Sequence, residues 1–183
     1  MTTWFSADYH LGHGGKRGGI IAMAGRPFGS VEEMNEVIIK NHNSRVKPDD
    51  LFIHAGDFCF STGKGINHVK PARYLERLNG NKILISGSHD RRNNVKTNIH
   101  SLVINIGGKE IQVVHDPKDA DPQYRVVLIG HIHTQWKIKI IPGGPVLVNV
   151  GCDVWDFHPV DINEILKGVS GFKQAEKPAK PSS

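Results

Sequence analysis

Long apolar runs are what this sequence most plainly lacks. In 183 residues no stretch approaches the ~18 consecutive apolar side chains that a bilayer-crossing helix requires, so neither a span nor a membrane partner is expected. The opening MTTWFSADYH carries neither the basic flank nor the apolar centre of a secretory signal. Cysteine is almost as scarce. Cys59 and Cys152 stand alone and far apart, too few for a disulfide scaffold, and a reduced, cytosolic chain with two free thiols is expected. Repeats are absent, and compositional bias is confined to the end. There KQAEKPAKPSS mixes lysine and proline with little that is apolar, so residues 173–183 read as a disordered basic tail and residues 1–172 as one domain.

Histidine, by contrast, is abundant: eleven copies of the commonest metal-binding side chain. The formal net charge is +5, which favours anionic partners such as nucleotides or nucleic acid, although part of that excess belongs to the tail.

Short segments rich in Val, Ile and Leu, bounded by Gly, Asp or His, read as buried strands that end in loops. They are Thr3–Ala7, Leu51–Ala55, Lys82–Ser86, Glu110–Val114, Arg125–Ile129 and Val146–Val150, with Leu102–Asn105 and Trp136–Ile141 as additions. In SVEEMNEVIIKNHNSRV the Ser30 and Glu33 pair forms a capping box ahead of a helical apolar period. Further helices are expected over Val69–Leu78 and in PVDINEILKG. Strands that alternate with helices early and follow each other closely later predict a layered α/β fold around a mixed sheet.

The segments that follow the strands are the informative part. They read ADYHLGH, AGDFCF, SGSHD, VHDP and GHIHT, delivering Asp8, His10, Asp57, His89, Asp90, His115, His131 and His133. Sites in α/β sheets gather at the carboxyl ends of strands, and acids crowded with imidazoles there need a cation among them. On extended backbone, residues two apart point the same way, so Asp8 with His10, and His131 with His133, are each expected to aim a pair of side chains into one pocket. Gly56, Gly87 and Gly130 let the backbone turn or approach a neighbour, and Gly130 is read as bending its strand into the ligand pair.

Six Asp and His ligands exceed the four of one tetrahedral zinc, and a carboxylate can bridge two cations, which makes Asp57 the natural bridge of a two-metal site. Phosphoester hydrolysis is the chemistry such a site predicts. Mixed imidazole and carboxylate donors suit manganese foremost, with iron, zinc or nickel as alternatives, over calcium or magnesium.

The ordered set Asp8-x-His10, Gly56-Asp57, Gly87-Ser88-His89-Asp90, His115 and Gly130-His131-x-His133 closely resembles the signature of calcineurin-like metallophosphoesterases. GRPF and NVGCDVWDFHPV are similar to segments of its small prokaryotic and phage members. The resemblance implies a four-layer α/β/β/α sandwich with two mixed β-sheets. It also implies a first metal held by Asp8, His10, Asp57 and His133, and a second held by Asp57, His115, His131 and one further ligand. That further ligand is normally an asparagine, and Ser88 stands in its place. A serine hydroxyl is shorter and a poorer donor, so weaker occupancy of the second position is expected. By the same resemblance His89 protonates the leaving group or steadies the phosphoryl charge, with Asp90 or a nearby carboxylate fixing its tautomer. Hydroxide held between the metals attacks in line. His13 and Arg26 are expected to contact substrate, Arg26 by gripping a phosphate oxygen.

His42, His54, His68, His100 and His158 match no motif position and read as surface or packing residues, His54 as buried on its strand. Trp136, Trp155 and Phe157 read as packing, and Lys16, Arg17, Arg91, Arg92 and Lys96 read equally as a solvated rim or as a phosphate funnel. The reaction implied is hydrolysis of a phosphodiester or phosphomonoester of nucleotide type. A nuclease acting on DNA or RNA, and a catalytically impaired binding module on the same scaffold, are the competing readings.

Overall fold

The computed structural model describes residues 1–15, 18–60 and 69–175, the last five of them by backbone alone. Lys16, Arg17, His68 and the expected tail beyond Ala175 lie outside the described residues.

Among the described residues, nine strands form two mixed sheets. The first has the order β3-β2-β1-β9, built from β1 (Thr3–Ser6), β2 (Leu51–His54), β3 (Asn81–Leu84) and β9 (Val160–Asp161). Here β1, β2 and β3 run parallel and β9 antiparallel. The second has the order β4-β5-β6-β8-β7, from β4 (Ser101–Ile106), β5 (Lys109–Val114), β6 (Val126–Ile129), β7 (Ile138–Ile140) and β8 (Val146–Asn149). Its inner strands β5, β6 and β8 are parallel and its edges antiparallel.

Apolar residues on both faces explain the near-continuous hydrophobic strands. Between the sheets lies one core, with Phe5, Ile53, Ile85, Val113, Leu128 and Val148 all buried. The helix α4 (Ile162–Ala175) closes one side of it with Ile162, Ile165 and Val169. It continues past the expected domain end at residue 172. The outer face of the first sheet packs Phe52 and Tyr9 against α1 (Gly19–Ala24), α2 (Val31–Arg45) and α3 (Pro71–Arg77). On the outer face of the second sheet, Val114, Val127, Ile129 and Leu147 are covered by Ile132, Tyr124 and Trp136 from loops. The fourth layer is therefore thin, carrying only the 3-10 turn Pro117–Asp119 and its flanking segments among the described residues. No helix of the described residues is long and apolar enough to cross a membrane.

The start of α2 follows its capping signature. Ser30 Oγ accepts from the Glu33 amide at 3.1 Å, while the Glu33 carboxylate reaches back to the Gly29 amide at 2.7 Å, one residue earlier than in the standard box.

Two histidines are buried under this layer. His42 contacts Tyr9 Oη at 3.1 Å and the Asn79 carbonyl at 3.0 Å, and burial pushes its pKa from 6.5 to about 4. His54 has no hydrogen-bond partner, and burial pushes it to about 3. A folded-state pKa below the unfolded one means that the native state takes up its proton later than the denatured chain. The contribution of His42 to stability is then fully present above about pH 6.5 and is lost as pH falls toward about 4, by on the order of 2–3 kcal/mol. Urea midpoints of metal-free protein at about pH 7.5 and about pH 4.5 check this. The drop should shrink in His42→Gln, and an undiminished drop would assign it to other groups.

Candidate metal centre

Each candidate ligand stands just past the carboxyl end of a strand: Asp8 and His10 after β1, Asp57 after β2, His115 after β5, His131 and His133 after β6. The loops are stitched together by main-chain bonds, Asp8 N to Gly56 O at 3.0 Å, His10 N to Asp57 O at 3.1 Å and Gly130 N to His115 O at 3.0 Å. The His131 amide adds a bond to Asp8 Oδ2 at 2.9 Å.

Their backbone corrects the extended-strand reading of the two pairs. Asp8, His10, Asp57, His131 and His133 have φ of 57°, 50°, 57°, 73° and 48°, in the left-handed region that few non-glycine residues enter. Such conformations persist only where surrounding contacts impose them, and they gather at functional sites. The same twist separates His131 from His133, which face different ligand groups. Gly130 needs no left-handed backbone. It is glycine because a Cβ there would stand 2.7 Å from Ala7 Cβ and 2.9 Å from Asp8 Oδ2. At Gly56 both reasons apply, with φ 91° and a Cβ that would meet His115 Nδ1 at 2.5 Å.

Two groups result, Asp8 with His10 and His133, and Asp57 with His115 and His131, the donor atoms in each lying within 4.8 Å of one another. Asp57 Oδ2 stands between the groups, 3.7 Å from His10 Nε2 and 3.4 Å from His115 Nε2. The latter separation is an electrostatic contact without hydrogen-bond alignment, for both nitrogens, together with Asp8 Oδ1, are buried and without a hydrogen-bond partner. Unpaired polar atoms in a protein interior are costly and rare. A cation in each group would remove that cost, so the donor sets fit divalent metals. Neighbours pre-orient the rings: His115 Nδ1 lies 2.9 Å from the Ala55 carbonyl and His10 Nδ1 lies 3.3 Å from His13 Nδ1, leaving each Nε2 to the pocket.

The electrostatics carry the same message. Burial raises the Asp8 carboxyl to about 7 against the pull of His115 and His133. Burial also opposes ionisation of Asp57, but His115 and the His89 amide outweigh it and hold the carboxyl well below the usual range. His115 is raised to about 9, its burial overcome by Asp57 and Asp8. Burial holds His10 well below its ordinary value. Metal-free, the pocket thus retains protons that a cation would displace.

Two expected roles are corrected. Arg26 is 4% exposed and its guanidinium is spent on Asp153, at 2.8 and 3.0 Å, and on the carbonyls of Tyr9 and Asp8, so it offers nothing to a phosphate. Asp90 is equally buried, and its carboxylate accepts from the amides of Asp57, Phe58 and Gly87 at 2.9, 2.9 and 2.8 Å. It clamps the two loops rather than setting the His89 ring. His89 itself stands at the mouth, its side chain 46% exposed and Nε2 3.9 Å from Asp57 Oδ2. His13 lies beside the site, stacked on Phe60 at 3.7 Å, with burial pushing it to about 4. Ser88 Oγ donates to Asp57 Oδ2 at 3.1 Å. Sequence reading passed over Phe60 and Asp153 as site residues. For Asp153 the only signal was its place in NVGCDVWDF, one strand end beyond the histidine-bearing ones.

No family model matches the chain. An uncharacterized protein of Methanocaldococcus jannaschii is 31% identical over 168 residues, which cover 88% of this chain and 87% of that protein. The solved structure of a protein of unknown function from Aquifex aeolicus is 23% identical and superposes with a TM-score of 0.65 over 91% of this chain and 98% of its own, sharing the fold. The chain therefore belongs to one family with the Methanocaldococcus protein, and the blocks Asp8-x-His10, Gly56-Asp57, His115 and Gly130-His131-x-His133 stand at the carboxyl ends of strands in the fold it shares with the Aquifex protein.

Proposed function

We propose that the chain is a metal-dependent phosphoesterase that cleaves phosphodiester or phosphomonoester bonds in nucleotide-like substrates. The two ligand groups would hold two divalent cations, manganese foremost, with Asp57 shared between them. The carrying observation is that His10 Nε2 and His115 Nε2, buried and unpaired, both face Asp57 Oδ2, with the unpaired Asp8 Oδ1 belonging to the same ligand group as His10. Cations held there would polarise the phosphoryl group and lower the pKa of a water lying in line with the scissile bond. The chain supplies the rest. Asp57 is fixed by the Ser88 hydroxyl and the His89 amide, and the exposed His89 ring is placed to give a proton to the departing alkoxide. Purified protein supplemented with manganese should contain close to two ions, one for each ligand group, and should hydrolyse an aryl phosphodiester. Protein that retains no metal overturns the proposal, and a panel of cyclic nucleotides, dinucleotides and nucleic acids then narrows the substrate.

The second ligand group is the weaker one on this reading. His131 is 41% exposed, with Asp116 no nearer than 4.0 Å, and the short Ser88 side chain turns its hydroxyl to Asp57. Ser88→Asn is expected to lower the manganese concentration for half-maximal activity about tenfold, worth ~1.4 kcal/mol of binding. An unchanged titration would mean that another donor already completes the group.

Arg91 and Arg92, exposed directly beyond His89, favour a second reading, in which the substrate is a nucleic acid strand. Cleavage of single-stranded DNA should then fall steeply and linearly in log rate against log salt. A salt-independent rate would leave the small-nucleotide reading standing.

A further inference from the structure

We infer that Asp153, held by Arg26, is the positioning residue for His133, selecting which of its ring nitrogens faces the first ligand group. The inference rests on the metal-centre reading above and goes beyond it, since Asp153 belongs to neither ligand group.

The geometry is that of a buried relay. His133 Nδ1 lies 2.9 Å from Asp153 Oδ2, and the Arg26 fork closes on the far side of the same carboxylate, Nε to Oδ1 at 2.8 Å and Nη2 to Oδ2 at 3.0 Å. The side chains of Arg26 and Asp153 are 0% and 1% exposed. A carboxylate so enclosed, facing a permanent cation, remains ionised and acts only as an acceptor, so the hydrogen between it and His133 sits on Nδ1. The lone pair of a neutral ring is then on Nε2. In this way a buried acid turns the ring, fixes its tautomer and makes it a better donor to a cation.

Arg26 extends the relay to the neighbouring loop. Its Nη2 reaches the Asp8 carbonyl at 2.6 Å and its Nη1 the Tyr9 carbonyl at 3.0 Å, the carbonyls of the two successive peptides that link Asp8 to His10. One guanidinium therefore ties the backbone that carries Asp8 and His10 to the carboxylate that orients His133. All three members of the first ligand group are referenced to it. Asp8 and His10 have left-handed φ, which surrounding bonds must maintain, and Arg26 supplies two of those bonds. Among the described residues the second group has no counterpart of this kind around His131, whose nearest acid there, Asp116, is 4.0 Å away. Within the proposed pair of cations, the one held with His133 is thus the pre-organised position.

Zinc is a suitable probe because it is diamagnetic. In zinc-loaded full-length protein, nitrogen NMR should show His133 coordinating through Nε2, with a slowly exchanging proton on Nδ1. Asp153→Asn should raise the dissociation constant of the tighter zinc about 10- to 100-fold. In a His133→Ala background the same substitution should cost less than about twofold, because the residue acts through that ring. Coordination through Nδ1, or a loss of affinity undiminished without His133, overturns the inference. If Asp153→Asn fails to fold, the resonance of the unsubstituted protein decides alone. Unsubstituted protein that binds no zinc is a different result, and it sinks the metal-centre reading itself together with this one.

Discussion

Replacing Asp57 with asparagine is expected to lower phosphoester turnover by about a thousandfold and to release both cations together, because loss of a shared charged ligand removes transition-state stabilisation on two sides at once. The reason lies in one atom. Asp57 Oδ2 faces His10 Nε2 at 3.7 Å and His115 Nε2 at 3.4 Å, so it borders both ligand groups. An asparagine offers one neutral oxygen and an amide that repels cations, and it cannot serve two ions. The fold should survive the change. The backbone of this loop is held independently, by Asp90 on the amides of Asp57 and Phe58 and by the main-chain bond from His10 to Asp57 O. Elemental analysis alongside kcat/KM checks the prediction. A variant that still carries two ions would show that Asp57 is not shared, while one that keeps a single firmly bound ion and some activity would locate Asp57 in the second group alone.

What could be read from the sequence, and what could not, follows from the range of the interactions involved. The strand ends were legible because buried parallel strands are nearly all apolar and stop abruptly at Gly, Asp or His, so the sites after β1, β2, β5 and β6 announced themselves. The cap at Ser30 was legible because its partner is three residues away. Helix α1 was not, being six residues long with only Ile20 buried and left-handed glycines at both ends. Nor was β9, two residues that pair with β1 from the far end of the chain and were read as the start of a helix. The roles of Arg26 and Asp90 were misread for one physical reason. A charged residue beside a motif looks available, but whether it faces substrate or is consumed inside depends on partners as distant as Asp153, 127 positions from Arg26. Left-handed φ at the ligands has the same origin, because tertiary bonds impose it against local preference.

His89→Ala should behave in the opposite way to Asp57→Asn, cutting kcat by about 10²- to 10⁴-fold, the usual contribution of a general acid, while leaving the metal content intact. His89 belongs to neither ligand group. Its connection to the centre is mainly by backbone, since its amide donates to Asp57 Oδ1 at 2.8 Å, and alanine keeps that bond. What alanine removes is the imidazole, 46% exposed at the mouth with Nε2 3.9 Å from Asp57 Oδ2 and its ring 5.2 Å from that of Phe60. On the proposed function, a ring so placed would reach a leaving oxygen on the open side of the ligand groups. Two readouts separate this role from a structural one. KM should move far less than kcat, because a proton delivered in the transition state adds little to ground-state binding. An aryl phosphodiester should also suffer less than an alkyl one, because a good leaving group needs no proton. Equal losses on both substrates, or loss of a cation with the ring, would make His89 a ligand or a prop, and the proton would have to come from elsewhere at the mouth, where His13 stands stacked on Phe60.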